Sequence, residues 1–268
     1  MYPSSQIPPV PVGTMPATAQ LVVTAVLAVL AAGAVGFAVS ESRRTGSPLP
    51  PAILVGGALA AFNEPIVDVL GGCVHHQIGQ WTAFTTFDRP MPVWLCLAYV
   101  LYFGTGPLAI LRAMSRLGPR SGFSLAVSGL LVFNIVLELP ILNGAGLYRY
   151  YGYQALTLFG LPLAWVVGNV FGVALTVVAV HHLGPALSRG AGLLAALALP
   201  AATQLASAAS VTLPEFSTYN ADVSSTWKWA GALASLGLGL SLLRWLATLL
   251  PGSATVAAPV RSATAVSN

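Results

Sequence analysis

The chain has 268 residues, of which 56% are hydrophobic and 7% charged, with a mean hydropathy of +0.80. A water-soluble globule carries about a quarter charged residues, so this composition excludes one and describes an integral membrane protein. The net charge of +4 comes without any basic patch interleaved with aromatics, which argues against a nucleic-acid partner.

Crossing about 30 Å of hydrocarbon takes about 20 apolar residues per helix. Seven runs qualify: 18–40, 51–72, 92–111, 122–143, 159–182, 190–212 and 227–249. The predicted fold is all-α, a bundle of about seven transmembrane helices forming a single domain over 17–250, with the lipid bilayer as its surroundings. The Pro-rich head, 1–16, has no basic n-region and reads as a disordered tail ahead of an uncleaved first helix. Residues 251–268 read as a second disordered tail.

Arg43, Arg44, Arg112, Arg116, Arg120, Arg189, Arg244 and Arg261 fall on one side of a seven-helix thread, against Arg89, Arg149 and Lys228 on the other. The positive-inside rule then predicts a multi-pass protein of the cell membrane, N-terminus outside and C-terminus cytoplasmic.

The second run ends in FNEPIVDVLGGCVHHQIGQW, Phe62 to Trp81. If the helix persists past Pro65, Glu64 and Asp68 share a face. Pro65 withdraws a backbone donor and disfavours helix at Glu64, which predicts a kink whose freed carbonyls favour a polar cavity. A carboxyl at this depth costs several kcal/mol unless paired, protonated or facing water, so Glu64, Asp68 and Glu138 of the fourth run are the candidate catalytic residues. Counting along the two helices puts Glu64 and Glu138 at similar heights. Asn63 adjoins Glu64, Asn134 lies one turn below Glu138, and Asn169 reaches mid-depth from the fifth run. The competing reading is a helix-packing network worth about 0.6–2 kcal/mol per bond.

Cys73 and Cys96 both fall near the outer end, close enough for a disulfide, and read as two buried free thiols. His75 and His76 lie a membrane apart from His181 and His182, and neither a metal nor a cofactor is expected. The outer loops, WTAFTTFDRPMPVW and GAGLYRYYGYQAL, are aromatic and basic. Tyr148, Tyr150, Tyr151 and Tyr153 read as an interfacial belt, or as a lid in which Arg149 and tyrosine hydroxyls orient a substrate while His75 and His76 relay protons. Asp88 and Arg89 read as a solvated turn, Glu215 and Asp222 as loop ends. Candidate substrate-binding residues are Asn63, Asn134, Trp81, Trp94, Tyr148, Arg149, Tyr151, Trp165 and Asn169, facing a small lipophilic substrate.

The pieces EPIVDVLG followed by W, RPMPVW, and Glu138 followed by GLYRYYGYQAL and PLAW-x3-N resemble the actinobacterial membrane proteins of the spirocyclase AveC family, from Glu64 to Asn169. The resemblance implies a cofactor-independent enzyme that closes a polyketide-type dihydroxy ketone into a spiroketal. It transfers no catalytic residues. Such a reaction needs an acid, tolerance of an oxocarbenium ion and a base, and two buried carboxyls with different protonation supply the acid and the base. Glu64 is the expected acid and Asp68 or Glu138 the base. A proton-initiated membrane terpene cyclase uses the same groups, whereas the aspartate-rich magnesium motif of prenyl-diphosphate enzymes is missing. A proton-coupled transporter is the reading from another class.

Overall fold

A computed structural model describes residues 8–219 and 223–252. Seven of its helices are long and apolar enough to cross a membrane. They are α1 (Ala17–Thr45), α2 (Leu49–Gly71), α3 (Val93–Leu117), α4 (Pro119–Ala145), α5 (Leu163–Leu187), α6 (Gly192–Ser210) and, after the short α7 (Leu213–Tyr219), α8 (Ser225–Thr248). The protein is an all-α, multi-pass membrane bundle. Each predicted run finds its helix, with ends moved by a few residues where proline and glycine override hydropathy.

Burial sorts the helices by role. The apolar window of α5 is 78% buried and that of α4 only 11%, so α5 is the hub and α4 lies largely against lipid. Glycine lets α2 sit close to its neighbours: a Cβ on Gly57 would fall 2.2 Å from the Gly104 nitrogen of α3, and one on Gly56 2.5 Å from the Leu197 carbonyl of α6. Such backbone contact is the usual glue of membrane helices, because lipid tails are as apolar as leucine.

Three helices depart from regular α geometry. In α2 a 3-10 turn at Ala61–Asn63 precedes Glu64 and Pro65, the break expected where proline removes a donor. In α3 the stretch Val100–Thr105 is π-helical, and so is Pro140–Ala145 at the end of α4. Local π turns recur at functional sites because they re-aim side chains.

At the other end of the bundle Glu41 pairs with Arg44 at 2.6 Å and with Arg112 at 3.7 Å, tying α1 to α3. Arg120, at the start of α4, donates to the Ala247, Thr248 and Leu250 carbonyls at the C-terminal end of α8.

The loop end carries short strands that hydropathy does not announce: β1 (Cys73–His75), β2 (Thr82–Thr86), β3 (Arg89–Pro92), β4 (Tyr148–Tyr150), β5 (Thr157–Leu158) and β6 (Leu161–Pro162). They pair as antiparallel β1–β4, β2–β3 and β5–β6. Gly72, at φ 65°, ends α2 in the left-handed conformation and turns the chain into β1. β1 pairs with β4 with His75 opposite Tyr148, which folds the histidine back over the acids.

Part of the Pro-rich head is not a loose tail. The Met15 amide donates to the Ile78 carbonyl at 2.8 Å, and the Met15 side chain is buried, because the loop after β1 offers open backbone groups and an apolar seat. Residues 1–7, the tail beyond Gly252 and Asp222 lie outside the described residues. Arg89 is not solvated either. It is buried and its Nη2 donates to the Tyr151 hydroxyl at 2.6 Å, while Asp88, at φ 55°, forms the exposed β2–β3 turn.

Candidate functional site

Glu64 and Glu138 line one cavity of about 110 Å³ near the loop end. Glu64 comes from the helical turn after the break in α2, and Glu138 from the last regular turn of α4. β1 and β4 close the cavity with Cys73, His75, Tyr148 and Tyr150, and Trp94 and Trp165 supply broad aromatic walls. The volume holds a few waters or one end of a small organic molecule.

The two carboxyls sit in unlike surroundings. Glu138 receives donors from three elements: Asn134 Nδ2 at 2.5 Å, the Tyr148 hydroxyl at 2.9 Å, the Tyr150 hydroxyl at 3.2 Å and Asn169 Nδ2 at 3.5 Å. Burial pushes both phenols of β4 well above their ordinary value, and the neighbouring carboxylate adds to it. They therefore stay O–H donors across the working pH range. Glu64 receives one donor among the described residues, the Tyr99 hydroxyl. Tyr99 accepts from Gln204 of α6 at 3.4 Å, and Gln204 in turn accepts from Asn63 at 2.8 Å.

Asp68 is fully buried behind Glu64, outside the cavity wall. Its Oδ2 lies 3.3 Å from His75 Nδ1, and the Cys73 thiol, pushed well up by burial and the nearby carboxylates, is a neutral neighbour of the same carboxylate. Asp68, expected as a base, thus faces His75 rather than the cavity, and the pair approaches without completing a hydrogen bond. Both Cys73 and Cys96 are free.

Of the substrate-binding candidates, Asn134, Trp94, Tyr148, Trp165 and Asn169 line the cavity. The others do not. Asn63 is next to Glu64 in sequence, hence about 100° round the helix, and donates to the Ala201 carbonyl and Gln204 of α6. Trp81 is exposed at the start of the β2–β3 hairpin. Strand alternation decides Arg149: Tyr148 and Tyr150 point inward, so Arg149 points out and, among the described residues, donates to the Val12 carbonyl at 3.4 Å. Tyr151, one residue past the strand, turns to Arg89.

Tyr99 and Tyr102 are wall residues absent from the predicted set, and His75, read from the sequence as a candidate proton relay, lines the wall too. The tyrosines sit in the apolar run CLAYVLYFG, where nothing distinguishes a site phenol from an anchor. The indole Nε1 groups of Trp94 and Trp165 meet no acceptor among the described residues. Two buried donors at the wall suit an oxygen-bearing ligand. Glu64, Asp68 and His75 also offer donor atoms within 4.8 Å of one another, a mixed nitrogen and oxygen set of the kind that holds zinc, manganese or iron. No metal was expected here because the two histidine pairs lie a membrane apart; this set instead joins His75 to the acids.

No family model, curated protein or solved structure matches this chain. The site therefore stands on its own geometry.

A further acid lies at the same end. Glu215 of α7, expected at a loop end, is buried, its carboxylate has no hydrogen-bond partner among the described residues, and burial pushes it up to about 7. A raised carboxyl keeps its proton in the folded state, so stability is highest in acid and falls as pH rises from the unfolded value of 4.5 through about 7. Melting temperature in detergent should drop between pH 5 and 8 by the equivalent of about 2–3 kcal/mol. Glu215→Gln should flatten that profile, and an unchanged slope would show that another group sets it.

Proposed function

We propose that the chain is a membrane-embedded cyclase that uses Glu64 as acid and Glu138 as base, and that its reaction is spiroketal formation on a dihydroxy ketone, as the resemblance to the AveC family implies. One observation carries the reading: two carboxyls face the same small cavity and, among the described residues, one accepts up to four hydrogen bonds and the other one. Donors stabilise an ionised carboxyl, and Glu64, with the Tyr99 hydroxyl as its donor and a second acid, Asp68, close by, has fewer of them than Glu138. Carboxyls whose surroundings push their protonation apart are the signature of an acid and base pair.

In this reading one substrate hydroxyl adds to the ketone to give a hemiketal. Glu64 protonates the hemiketal hydroxyl, the C–O bond breaks, and water leaves. The faces of Trp94 and Trp165 stabilise the oxocarbenium ion. The second hydroxyl then forms the new C–O bond and gives its proton to Glu138, which returns it to Glu64 across the cavity. The balance is dihydroxy ketone to spiroketal plus water. Asp68 lies beside His75, which serves as a proton relay at the loop end. The same aromatic wall favours, as second reading, a terpene cyclase in which Glu64 protonates an alkene.

The arginine bias between the two ends supports a cell-membrane orientation with the cavity toward the outside. The test is turnover by purified protein in detergent, without any gradient, of a dihydroxy ketone labelled with 18O at the carbonyl. Spiroketal lacking the label, with the label in water, supports the reading. Unchanged substrate, or uptake into sealed vesicles driven by a pH difference, opposes it. So does stoichiometric zinc, manganese or iron in the active protein, because a metal on Glu64 would displace the acid's proton.

A further inference from the structure

A second, larger cavity adjoins the first. It has about 570 Å³ of free space and is lined almost wholly by apolar groups. Its floor is α3, and its sides are α1, from Leu27 to Phe37, and α4, from Leu130 to Leu137. α1 and α4 both pack on α3 without packing substantially on one another, so the groove opens toward lipid, where Val29 and Phe133 are exposed. The eleven residues from Leu27 to Phe37, ten rises apart end to end, make it about 15 Å long.

Three residues belong to both cavities: Ala98, Tyr102 and Leu137. Tyr102 lies in the π-helical stretch of α3, and its hydroxyl donates at 2.9 Å to Asn134, which donates in turn to Glu138. The partition between the apolar groove and the carboxyl cavity is therefore one small side chain, one leucine and one phenol held by the site's own hydrogen bonds. Groove and site are continuous in their walls, and the cavity between the carboxyls is too small for more than the reacting end of a substrate.

We propose that the groove holds the apolar chain of the substrate while its oxygenated end lies between Glu64 and Glu138, and that the substrate enters sideways from the bilayer between α1 and α4. The position of the reacting end rests on the cyclase reading; the seat of the chain does not. Lipid tails are as apolar as the groove, so the groove supplies little affinity. It supplies register, holding the head at the carboxyls, and selects a long-chain amphiphile over a compact polar ketone. Gly33 keeps it open, since a Cβ there would meet nothing within 4 Å.

The test uses a dihydroxy ketone with an alkyl chain about 15 Å long, matching the groove, and a diazirine at the chain's end, added to protein in phosphatidylcholine nanodiscs. Labelling should map to 27–37 and 130–137, be displaced by the unlabelled ketone, and occur equally in the wild type and in Glu64→Gln. Gly33→Phe should lower it about tenfold or more, equivalent to about 1.4 kcal/mol, with Gly33→Leu as the milder replacement. Both should melt like the wild type, since they point into open space. Labelling in the groove without spiroketal product leaves this inference standing and removes the cyclase reading. Product with the label elsewhere does the reverse. Equal labelling by a diazirine phosphatidylcholine that the ketone does not displace overturns it, making the groove an ordinary lipid seat.

Discussion

Glu64→Gln should lower turnover by about a hundredfold or more, the scale of losing a general acid, while the protein folds and still binds substrate. Glutamine keeps the shape and can still accept from Tyr99, whose hydroxyl is the one donor to Glu64 among the described residues. What disappears is the transferable proton. Asp68→Asn makes a useful comparison, because Asp68 meets His75 rather than the cavity. Its effect should fall on the pH profile and on stability more than on the maximal rate. Full activity in a well-folded Glu64→Gln protein would remove the assignment.

Glu138→Leu should produce the opposite pattern, a large loss of stability together with the loss of turnover. Leucine would leave the Asn134 amide, the Tyr148 and Tyr150 hydroxyls and the Asn169 amide without their shared acceptor. Each orphaned buried donor costs about 1–3 kcal/mol, and three of these four bonds are short enough to count fully. A loss of about 3–5 kcal/mol follows, allowing for relaxation and for water reaching the cavity. Chemical or thermal unfolding in detergent measures it. Glu138→Gln should lose turnover with a smaller stability cost, since its amide oxygen accepts from some of the same donors. A Glu138→Leu protein as stable as the wild type would mean that the donors find other partners and that Glu138 is no structural centre.

The contrast between these substitutions would separate a proposed acid that is structurally dispensable from a proposed base woven into the bundle. It also shows why part of the site was legible in the sequence and part was not. Charge at membrane depth is so costly that Glu64 and Glu138 stand out from hydropathy alone, and counting residues along two spans that run in the same direction placed them at matching heights. Asn134 and Asn169 followed because helical spacing links them to that depth. Tyr99 and Tyr102 gave no such signal: a phenol is half apolar, and in a run of leucine and valine it looks like a lipid anchor.

The loop end was harder still. Whether Tyr148 or Arg149 faces the cavity depends on β4 being a strand in a particular register with β1, and a three-residue strand has no periodicity to read. His75 reaches Asp68 only because Gly72 adopts a positive φ and reverses the chain. Asn63 misled for the converse reason, since a neighbour in helical sequence is a quarter-turn away in space. The groove beside the site was invisible for a simpler reason. It is made of small and apolar residues that any membrane helix contains, and its existence depends on α1 and α4 standing apart.

The central claim is that two carboxyls in one cavity differ in protonation at neutral pH, and infrared difference spectroscopy of the carboxyl C=O stretch tests it most directly. Subtracting the spectrum of Glu64→Gln from that of the wild type at neutral pH should reveal a protonated-carboxyl band, and the same subtraction with Glu138→Gln should show a carboxylate band and no protonated one. A protonated band assigned to Glu138, or none assigned to Glu64, would contradict the account.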